Sequence, residues 1–288
     1  MYPSAFEYYR PSSVSEAVQL LSQHPEAKLL AGGHSLIPAM KLRLSSPAAL
    51  IDITRIPGLA GIRDAGDRVV IGATTTYDEV MRSELIQQTV PILPEAIDLI
   101  GDLQVRNLGT IGGSLAHADP AADLPAVMLA LGADLKAVGP NGERVIPVDQ
   151  FFVDLFTTAL QPNEVLTEIA IPKPPARTGM AYEKFANPAS GYAVVGAAAV
   201  VTLGEDGRVA AARVAVTGAG PYAVRRIETE HALVGQEPTT EVIKQASQRA
   251  SDGMTFNSDV FASEEYRAHL TRVFVGRAIA KAVQRARQ

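Results

Sequence analysis

Two segments built on paired glycines constrain this chain more than any other feature. They are AGGHSL at 31–36 and GTIGGSLAHADPAADLP at 109–125. Glycine lacks the Cβ atom that would hold a ligand away from the main chain, and it readily takes the positive φ angles that point successive N–H groups into one concavity. We therefore expect free amides at both glycine pairs, on opposite walls of one elongated site that fits a diphosphate.

Either pair alone has a plainer explanation, because tandem glycines after a strand are more often an ordinary turn. Two such segments separated by a globular stretch are harder to explain as independent turns. The predicted diphosphate site depends on the main-chain nitrogens of both pairs, which are Gly32, Gly33, Gly112 and Gly113.

Composition narrows the class of protein. The 288 residues are 47% hydrophobic and 20% charged, which is ordinary for a globular chain with two or three cores. A net charge of −5 argues against binding to nucleic acid. The absence of cysteine excludes disulfides, thiol catalysis and thiolate-bound iron–sulfur or zinc centres within this chain. His34 and His117 have no partner at a dependable ligand spacing, so we predict no metal site and expect each to donate to a cofactor.

The sequence shows no targeting or membrane segment. The N-terminus lacks a cationic start followed by an apolar core, and the longest apolar run, at 193–203, is too short to span a bilayer. We therefore expect a cytoplasmic protein, with at most a peripheral place at the inner membrane through a larger complex.

The hydrophobic periodicity, together with the positions of capping residues, glycine and proline, predicts an α+β chain. Ser13 and Glu16 form a capping box before the first helix, and a short strand at 28–31 ends at the first glycine pair. A helix predicted over 120–131 would place Ser114–Asp119 at or just before its N-terminus. The other elements expected before residue 173 are strands at 49–53, 69–73, 133–138, 143–148 and 164–171 and helices at 77–81 and 91–100.

Proline and glycine clusters predict how the chain divides. Pro57 and Gly58 close an apolar run, which places a boundary near Ile56, and KPPARTG at 173–179 is the best candidate for a linker. The expected units are a first lobe over 1–56, a second lobe over 57–174 and a C-terminal domain over 178–288. That domain is predicted to be β in its first half and then α, with helices at 225–233, at 240–253 and from 263 or 264 onward.

A second glycine motif, GAGPYA at 218–223, approximates the GxGxxA dinucleotide fingerprint. Pro221 removes an amide from this segment, and no dependable acidic residue follows at the expected distance. A turn is the better prediction.

Several ordered segments resemble one known family: AGGHSLIPAMKLRL, IDITRIPGLAGI, DLQVRNLGTIGGSLAHADPAADLPAVMLALGADL, and YEKF with GYAVVGAAAVV. They are similar to the FAD-binding medium subunits of molybdenum hydroxylases, most closely those of the carbon monoxide dehydrogenase group, with the xanthine dehydrogenase flavin domain more distant. The resemblance covers essentially the whole chain. It implies a two-lobed FAD-binding domain of vanillyl-alcohol-oxidase type (PCMH type), followed by a small C-terminal α+β domain with a three-stranded antiparallel sheet.

The resemblance also implies which residues hold FAD. The first segment matches a diphosphate-binding loop to which Ser35 adds a hydroxyl, and the second matches another FAD-binding segment with hydroxyls from Thr110 and Ser114. The implied cofactor-binding residues are Leu30, Ala31, Gly32, Gly33, His34, Ser35, Leu36, Thr110, Ile111, Gly112, Gly113, Ser114, Leu115, His117, Asp123, Lys184 and Tyr192.

Three of these residues carry side-chain roles implied by the resemblance. Asp123 matches a carboxylate that accepts hydroxyls of the adenosine ribose, Lys184 matches a lysine whose charge favours the reduced, anionic flavin, and Tyr192 matches an aromatic residue over the isoalloxazine. Without the resemblance, Asp123 would be a charge at a helix N-terminus, Lys184 a surface strand residue and Tyr192 a core aromatic.

The implied function is that of an electron-transfer flavoprotein subunit of an oxidoreductase. Such a chain accepts electrons from a [2Fe-2S] subunit, whose own partner carries a molybdenum cofactor, and passes them through FADH2 to quinone or NAD. The expected assembly is a dimer of heterotrimers, and no side chain here is expected to act in catalysis. The alternatives are a free-standing flavin oxidase of the same fold and a scaffold without redox function; the substrate oxidised at molybdenum stays open.

Overall fold

The computed structural model describes residues 2–288. The first sheet of the protein is parallel. The three strands pair in the order β1-β3-β2. The elements are β1 (Glu7–Tyr9), α1 (Val14–Gln23), β2 (Lys28–Leu30), α2 (Leu36–Lys41) and β3 (Ala49–Asp52). The Ser13 side chain accepts a hydrogen bond from the Glu16 amide at 3.1 Å, which confirms Ser13 as the cap of α1. The Glu16 carboxylate accepts from the Ser12 amide at 2.7 Å, so the predicted capping box is only half formed. The first glycine segment follows β2 and therefore leaves the sheet at its carboxyl edge, where parallel sheets commonly bind ligands.

The second sheet is antiparallel, and helices cover it. Its five strands pair in the order β4-β5-β10-β6-β7, and β8 and β9 form a separate hairpin. The strands are β4 (Ile62–Asp64), β5 (Arg68–Gly72), β6 (Asp134–Gly139), β7 (Gly142–Pro147), β8 (Phe152–Asp154), β9 (Thr157–Thr158) and β10 (Val165–Pro172). The helices are α3 (Tyr77–Arg82), α4 (Glu84–Thr89), α5 (Ile92–Asp98), α6 (Leu103–Leu108), α7 (Ile111–His117) and α8 (Leu124–Leu131). The buried residues of α5, α7 and α8 form one apolar core with β5, β6 and β10.

The second glycine segment is the start of a helix, α7, which the sequence did not predict. The helix predicted over 120–131 is present as α8, which ends before Gly132 as expected but begins later, at Leu124. Thr110 caps α7, since its hydroxyl accepts a hydrogen bond from the Gly113 amide at 3.1 Å. Ala118 then takes a left-handed conformation with φ of 50°, which ends α7. The chain therefore crosses from α7 to α8 through residues 118–123, and Ser114 lies inside a helix.

The third sheet is antiparallel and has four strands in the order β11-β12-β13-β14, where three were expected. Its elements are β11 (Thr178–Ala186), β12 (Ala193–Leu203), β13 (Val209–Thr217), β14 (Val224–Arg225), α9 (Ile227–Leu233), α10 (Thr240–Gln248) and α11 (Glu264–Ala286). The extra strand has only two residues, too few to give a hydrophobic period. Residues 218–222 form bends between antiparallel strands, which confirms the predicted turn at the GAGPYA motif.

Helix α11 covers one face of the third sheet, and the second lobe covers the other. Ala181 and Val195 pack with α11, whereas Tyr182 and Ala198 belong to the core of the second sheet. A strand that is buried on both faces needs apolar residues at every position, which explains the continuous small apolar run of β12.

Ion pairs add to the contact between the C-terminal domain and the second lobe. Lys281 and Arg285 of α11 reach the Glu95 carboxylate of α5 at 2.6 and 2.5 Å, and Lys281 also pairs with Glu183 at 2.9 Å. The basic end of the last helix is therefore an internal contact surface.

The three sheets use successive stretches of the chain, with changes between β3 and β4 and between β10 and β11. We keep the divisions 1–56, 57–174 and 178–288 as a proposal for the folding units. Within residues 2–288, no helix has both the length and the apolar character needed to cross a bilayer.

Substitution of Gly179 by alanine tests how closely α11 packs on β11. A Cβ atom at Gly179 would lie 1.9 Å from the Ala282 carbonyl oxygen and 2.4 Å from the Ala286 nitrogen. We expect Gly179→Ala to lower the free energy of unfolding by about 3 kcal/mol, because helix backbone has to move. Gly276→Ala on the same helix is the control: its Cβ meets only the Ser247 side chain, at 3.2 Å, and we expect a change within about 1 kcal/mol. Urea unfolding measures both, and equal changes would contradict the packing argument.

Candidate cofactor site

The first glycine segment presents a run of free main-chain amides. The N–H groups of Gly32–Leu36 have no acceptor within residues 2–288. Gly33 takes a left-handed conformation with φ of 72°, which turns adjacent amides toward one side. The His34 Nδ1 atom donates to the Gly32 carbonyl at 2.8 Å and fixes the side chain on the turn. We call Gly32–Leu36 the amide nest; it has the chemistry of a phosphate-binding site.

The structure brings the two glycine segments together. A Cβ atom on Gly32 would lie 2.0 Å from the Leu108 carbonyl oxygen, and one on Gly113 would lie 3.9 Å from Ala31 Cβ. The second segment is held in turn by the chain before α3, because the Ile111 amide donates to the Thr75 carbonyl at 3.0 Å. The prediction that these distant glycines share one site is consistent with this geometry.

The expectation of free amides is wrong for the second glycine pair. The Gly112 amide donates to the Ala73 carbonyl at 2.9 Å, and the Gly113 amide donates to the Thr110 hydroxyl at 3.1 Å. A Cβ atom on Gly112 would lie 2.5 Å from Ala73 Cβ, so this glycine allows α7 to pack against the end of β5. Free amide donors therefore lie in the first segment, and the second supplies its support.

Asp123, near the end of the second glycine segment, forms a buried ion pair with Lys184. The Lys184 ammonium lies 2.9 and 3.0 Å from the two carboxylate oxygens and donates to the Leu99 carbonyl at 3.0 Å. Their side chains are only 3% and 5% exposed. The Tyr182 hydroxyl donates to the same carboxylate at 2.6 Å. A buried pair with this many hydrogen bonds is satisfied internally.

Burial dominates the titration of this cluster. It raises the pKa of the Asp123 carboxyl, against the opposing effects of the Lys184 charge and the Tyr182 hydroxyl. It also raises the pKa of Tyr77 to about 12 and the pKa of Tyr182 well above its usual value. Both phenols therefore keep their protons across the physiological range, and Tyr182 stays a donor.

The simpler alternative is confirmed for Asp123 and wrong for Lys184 and Tyr192. Asp123 is the N-cap residue of α8, although its side chain accepts from none of the α8 amides, and the Lys184 side chain is buried. Tyr192 is 45% exposed at the turn between β11 and β12 and so is not a core residue. Its phenol lies close enough to Asp119 and Asp123 for their charges to raise its pKa, after burial as the larger cause. Whether these residues contact FAD stays a prediction.

The remaining predicted residues separate into supporting and peripheral positions. Leu30 precedes the amide nest, while Ile111 and Leu115 are buried in the apolar core. Thr110 is buried and serves as the cap of α7, whereas Ser114 is half-buried on its first turn. His117 is exposed at the opposite end of α7, where its ring lies 5.2 Å from that of Phe156. Whether His117 donates to a cofactor stays a prediction.

Sequence reasoning missed Tyr182, Tyr77 and the Leu99 carbonyl. The signal for Tyr182 was present, since residues two apart on a strand share a face and Tyr182 precedes Lys184 by two. No local pattern could place Leu99, whose contact with Lys184 spans 85 residues.

Family models match nearly the whole chain. One described as an FAD binding domain in molybdopterin dehydrogenase matches residues 4–174. Another, described as the CO dehydrogenase flavoprotein C-terminal domain, matches residues 180–282.

Similar proteins match over the full length. The chain is 42% identical to 6-hydroxypseudooxynicotine dehydrogenase complex subunit alpha of Paenarthrobacter nicotinovorans, over 100% of this chain and 97% of that protein. It is 43% identical to the carbon monoxide dehydrogenase medium chain of Hydrogenophaga pseudoflava, over 97% of each. A solved structure of carbon monoxide dehydrogenase from Hydrogenophaga pseudoflava superposes with a TM-score of 0.96, at 44% identity over 99% of both chains.

These matches confirm the resemblance and the α+β fold class seen in the sequence. The chain therefore belongs to the FAD-binding medium subunits of the molybdenum hydroxylases, a family of oxidoreductase flavoprotein subunits that includes the carbon monoxide dehydrogenase medium chains.

Proposed function

We propose that this chain is the electron-transfer subunit of its complex, accepting electrons from a [2Fe-2S] subunit and delivering them to quinone or NAD. FAD, when bound, supplies the redox chemistry. The observation that carries the proposal is the internal pairing of Asp123, Lys184 and Tyr182. A flavin oxidase needs a base that can accept a proton from its substrate, and in this cluster the carboxylate already accepts from two donors.

The amide nest fits the diphosphate of FAD. Its donors are neutral main-chain groups on a turn with a left-handed glycine, which suits oxygen atoms that carry negative charge. We assign the diphosphate to Gly32–Leu36 and a supporting role to Thr110–Leu115. We also assign Lys184 and Tyr192 to the flavin and Asp123 to the adenosine ribose, although Asp123 would then have to share its oxygens with Lys184 and Tyr182.

The names of the relatives support a multisubunit assembly. They include a subunit alpha of a dehydrogenase complex and the medium chains of carbon monoxide dehydrogenases. We propose that this chain joins a small [2Fe-2S] subunit and a large molybdenum-cofactor subunit, as a dimer of heterotrimers. The substrate would then be oxidised on the large subunit.

Alanine at Gly33 tests the amide nest. The left-handed φ of 72° disfavours alanine, so the segment relaxes and its amides turn apart. We expect Gly33→Ala to weaken FAD binding by at least about tenfold, equal to about 1.4 kcal/mol. Gly66→Ala is the matched control, because Gly66 has a φ of 84° at the β4–β5 turn with open space around it. Flavin titration by fluorescence measures the FAD affinity of both variants. Equal affinities would show that the amide nest does not bind FAD.

Removal of the Lys184 charge tests the buried pair. We expect Lys184→Met to lower the free energy of unfolding by about 3–5 kcal/mol, because it leaves the Asp123 carboxylate buried without its cation. The double variant with Asp123→Asn recovers most of this loss.

If Lys184 lies beside the flavin, its loss also makes the midpoint potential of bound FAD more negative, which spectroelectrochemistry measures. An unchanged potential would remove Lys184 from the flavin site.

Electron transfer is tested with the assembled complex. The chain is coexpressed with the subunits encoded by neighbouring genes, and the [2Fe-2S] centres are reduced with a substoichiometric reductant under anaerobic conditions. We expect the flavin absorbance to fall after the iron–sulfur signal changes and to recover when a quinone or NAD is added. Turnover of an alcohol or hydroxy acid by the isolated FAD-loaded chain would instead favour the free-standing oxidase.

A further inference from the structure

Tyr182 is a buried phenol whose hydroxyl has one clear partner. Its side chain is among the largest that are fully buried, in the core between the third sheet and the second lobe. The hydroxyl donates to Asp123 Oδ1 at 2.6 Å. Phenylalanine would fill the same core without a polar atom, so packing alone does not explain a tyrosine here.

The neighbouring strand, β12, has a glycine where the Tyr182 hydroxyl approaches it. Gly196 lies on β12, and a Cβ atom there would be 2.1 Å from the Tyr182 hydroxyl oxygen and 2.9 Å from Thr217 Cγ2. Glycine weakens the interior of a strand, and in strands it often marks a close approach. The residues on either side of Gly196, at 193–195 and 197–201, are all alanine or valine, so alanine would otherwise suit this position.

The contacts of Asp123 define what Tyr182 does. The carboxylate receives two donors from one strand of the C-terminal domain, since Tyr182 and Lys184 are neighbours on the same face of β11. The Lys184 ammonium is held between this carboxylate and the Leu99 carbonyl. Without the phenol, Oδ1 would keep only the Lys184 contact, and the carboxylate could rotate and draw the ammonium with it.

We infer that Tyr182 is a positioning residue, which acts through Asp123 to hold the Lys184 ammonium at the cofactor site, and that Gly196 is required for its placement. This inference rests on the proposed place of Lys184 beside the flavin. Tyr182 itself needs no contact with FAD. Its high pKa keeps the donor proton in place throughout the working range.

The test uses the full chain reconstituted with FAD and compares Tyr182→Phe with Tyr266→Phe. Tyr266 lies on α11 and is 42% exposed, so its hydroxyl loss is a matched change away from the cluster. We expect Tyr182→Phe to make the flavin midpoint potential more negative, by less than Lys184→Met does, and to weaken FAD binding by about threefold to tenfold. Tyr266→Phe should leave both quantities unchanged.

A double-mutant cycle separates positioning from packing. If Tyr182 acts through Asp123, then Tyr182→Phe shifts the potential in the native background and adds no further shift in the Asp123→Asn background. A potential shift of equal size in both backgrounds would overturn the inference, because Tyr182 would then act independently of Asp123. A fall in thermal stability without any change in potential would also overturn it.

Lys184→Met distinguishes the failure of this inference from that of the proposed function. If Lys184→Met shifts the potential and Tyr182→Phe does not, only the positioning role is wrong. If Lys184→Met leaves the potential unchanged, the proposed place of Lys184 is wrong, and the inference falls with it.

Discussion

Close backbone packing at two glycines is the constraint on which the site depends. Gly32 lies against the Leu108 carbonyl, and Gly112 lies against Ala73 at the end of β5. The first contact holds the first lobe against the second at backbone distance, and the second contact holds α7 against the end of β5 within the second lobe. Within the amide nest, Gly32 is held by its backbone contact with Leu108 and by the His34 hydrogen bond to its carbonyl, so the nest is fixed while its amides stay open to a ligand.

The C-terminal domain completes the site through the segment between α7 and α8. The Thr217 hydroxyl oxygen lies 3.0 and 2.7 Å from the Pro120 and Ala122 carbonyl oxygens, which share its single proton. The Ala193 amide donates to the Ala121 carbonyl at 3.2 Å. These bonds hold the segment against the ends of β12 and β13, so that Asp123 enters the buried space beside Lys184. A contact made by the third sheet therefore sets the charge arrangement of a site whose amide donors belong to the first lobe.

The sequence predicted which segments come together better than it predicted what each segment does. Both glycine pairs were recognisable because two such pairs separated by a globular stretch are hard to explain as independent turns. The sequence could not show what each pair does. A glycine that leaves room for a ligand cannot be told by sequence from one that leaves room for a neighbouring main chain. Thr110 illustrates the limit: its hydroxyl accepts from Gly113 and caps α7, a role that the sequence did not indicate, and its own proton stays available for the predicted donation. The Asp123–Lys184 pair joins residues 61 apart, and only the assembled lobes place them together.

The ion pairs of α11 bear on the same site through α5. Glu95 ties α5 to Lys281 and Arg285 of the last helix, and Leu99 ends the same short helix one turn later. The Leu99 carbonyl then accepts from Lys184. Arg106 donates to the Ile100 and Gly101 carbonyls at 3.0 and 3.2 Å and so holds the chain just after this acceptor. Because α5 contacts the C-terminal domain at both ends, a shift of α11 would move the carbonyl that holds the Lys184 charge. Helix α11 is therefore part of the electrostatic support of the site although it supplies no residue to it.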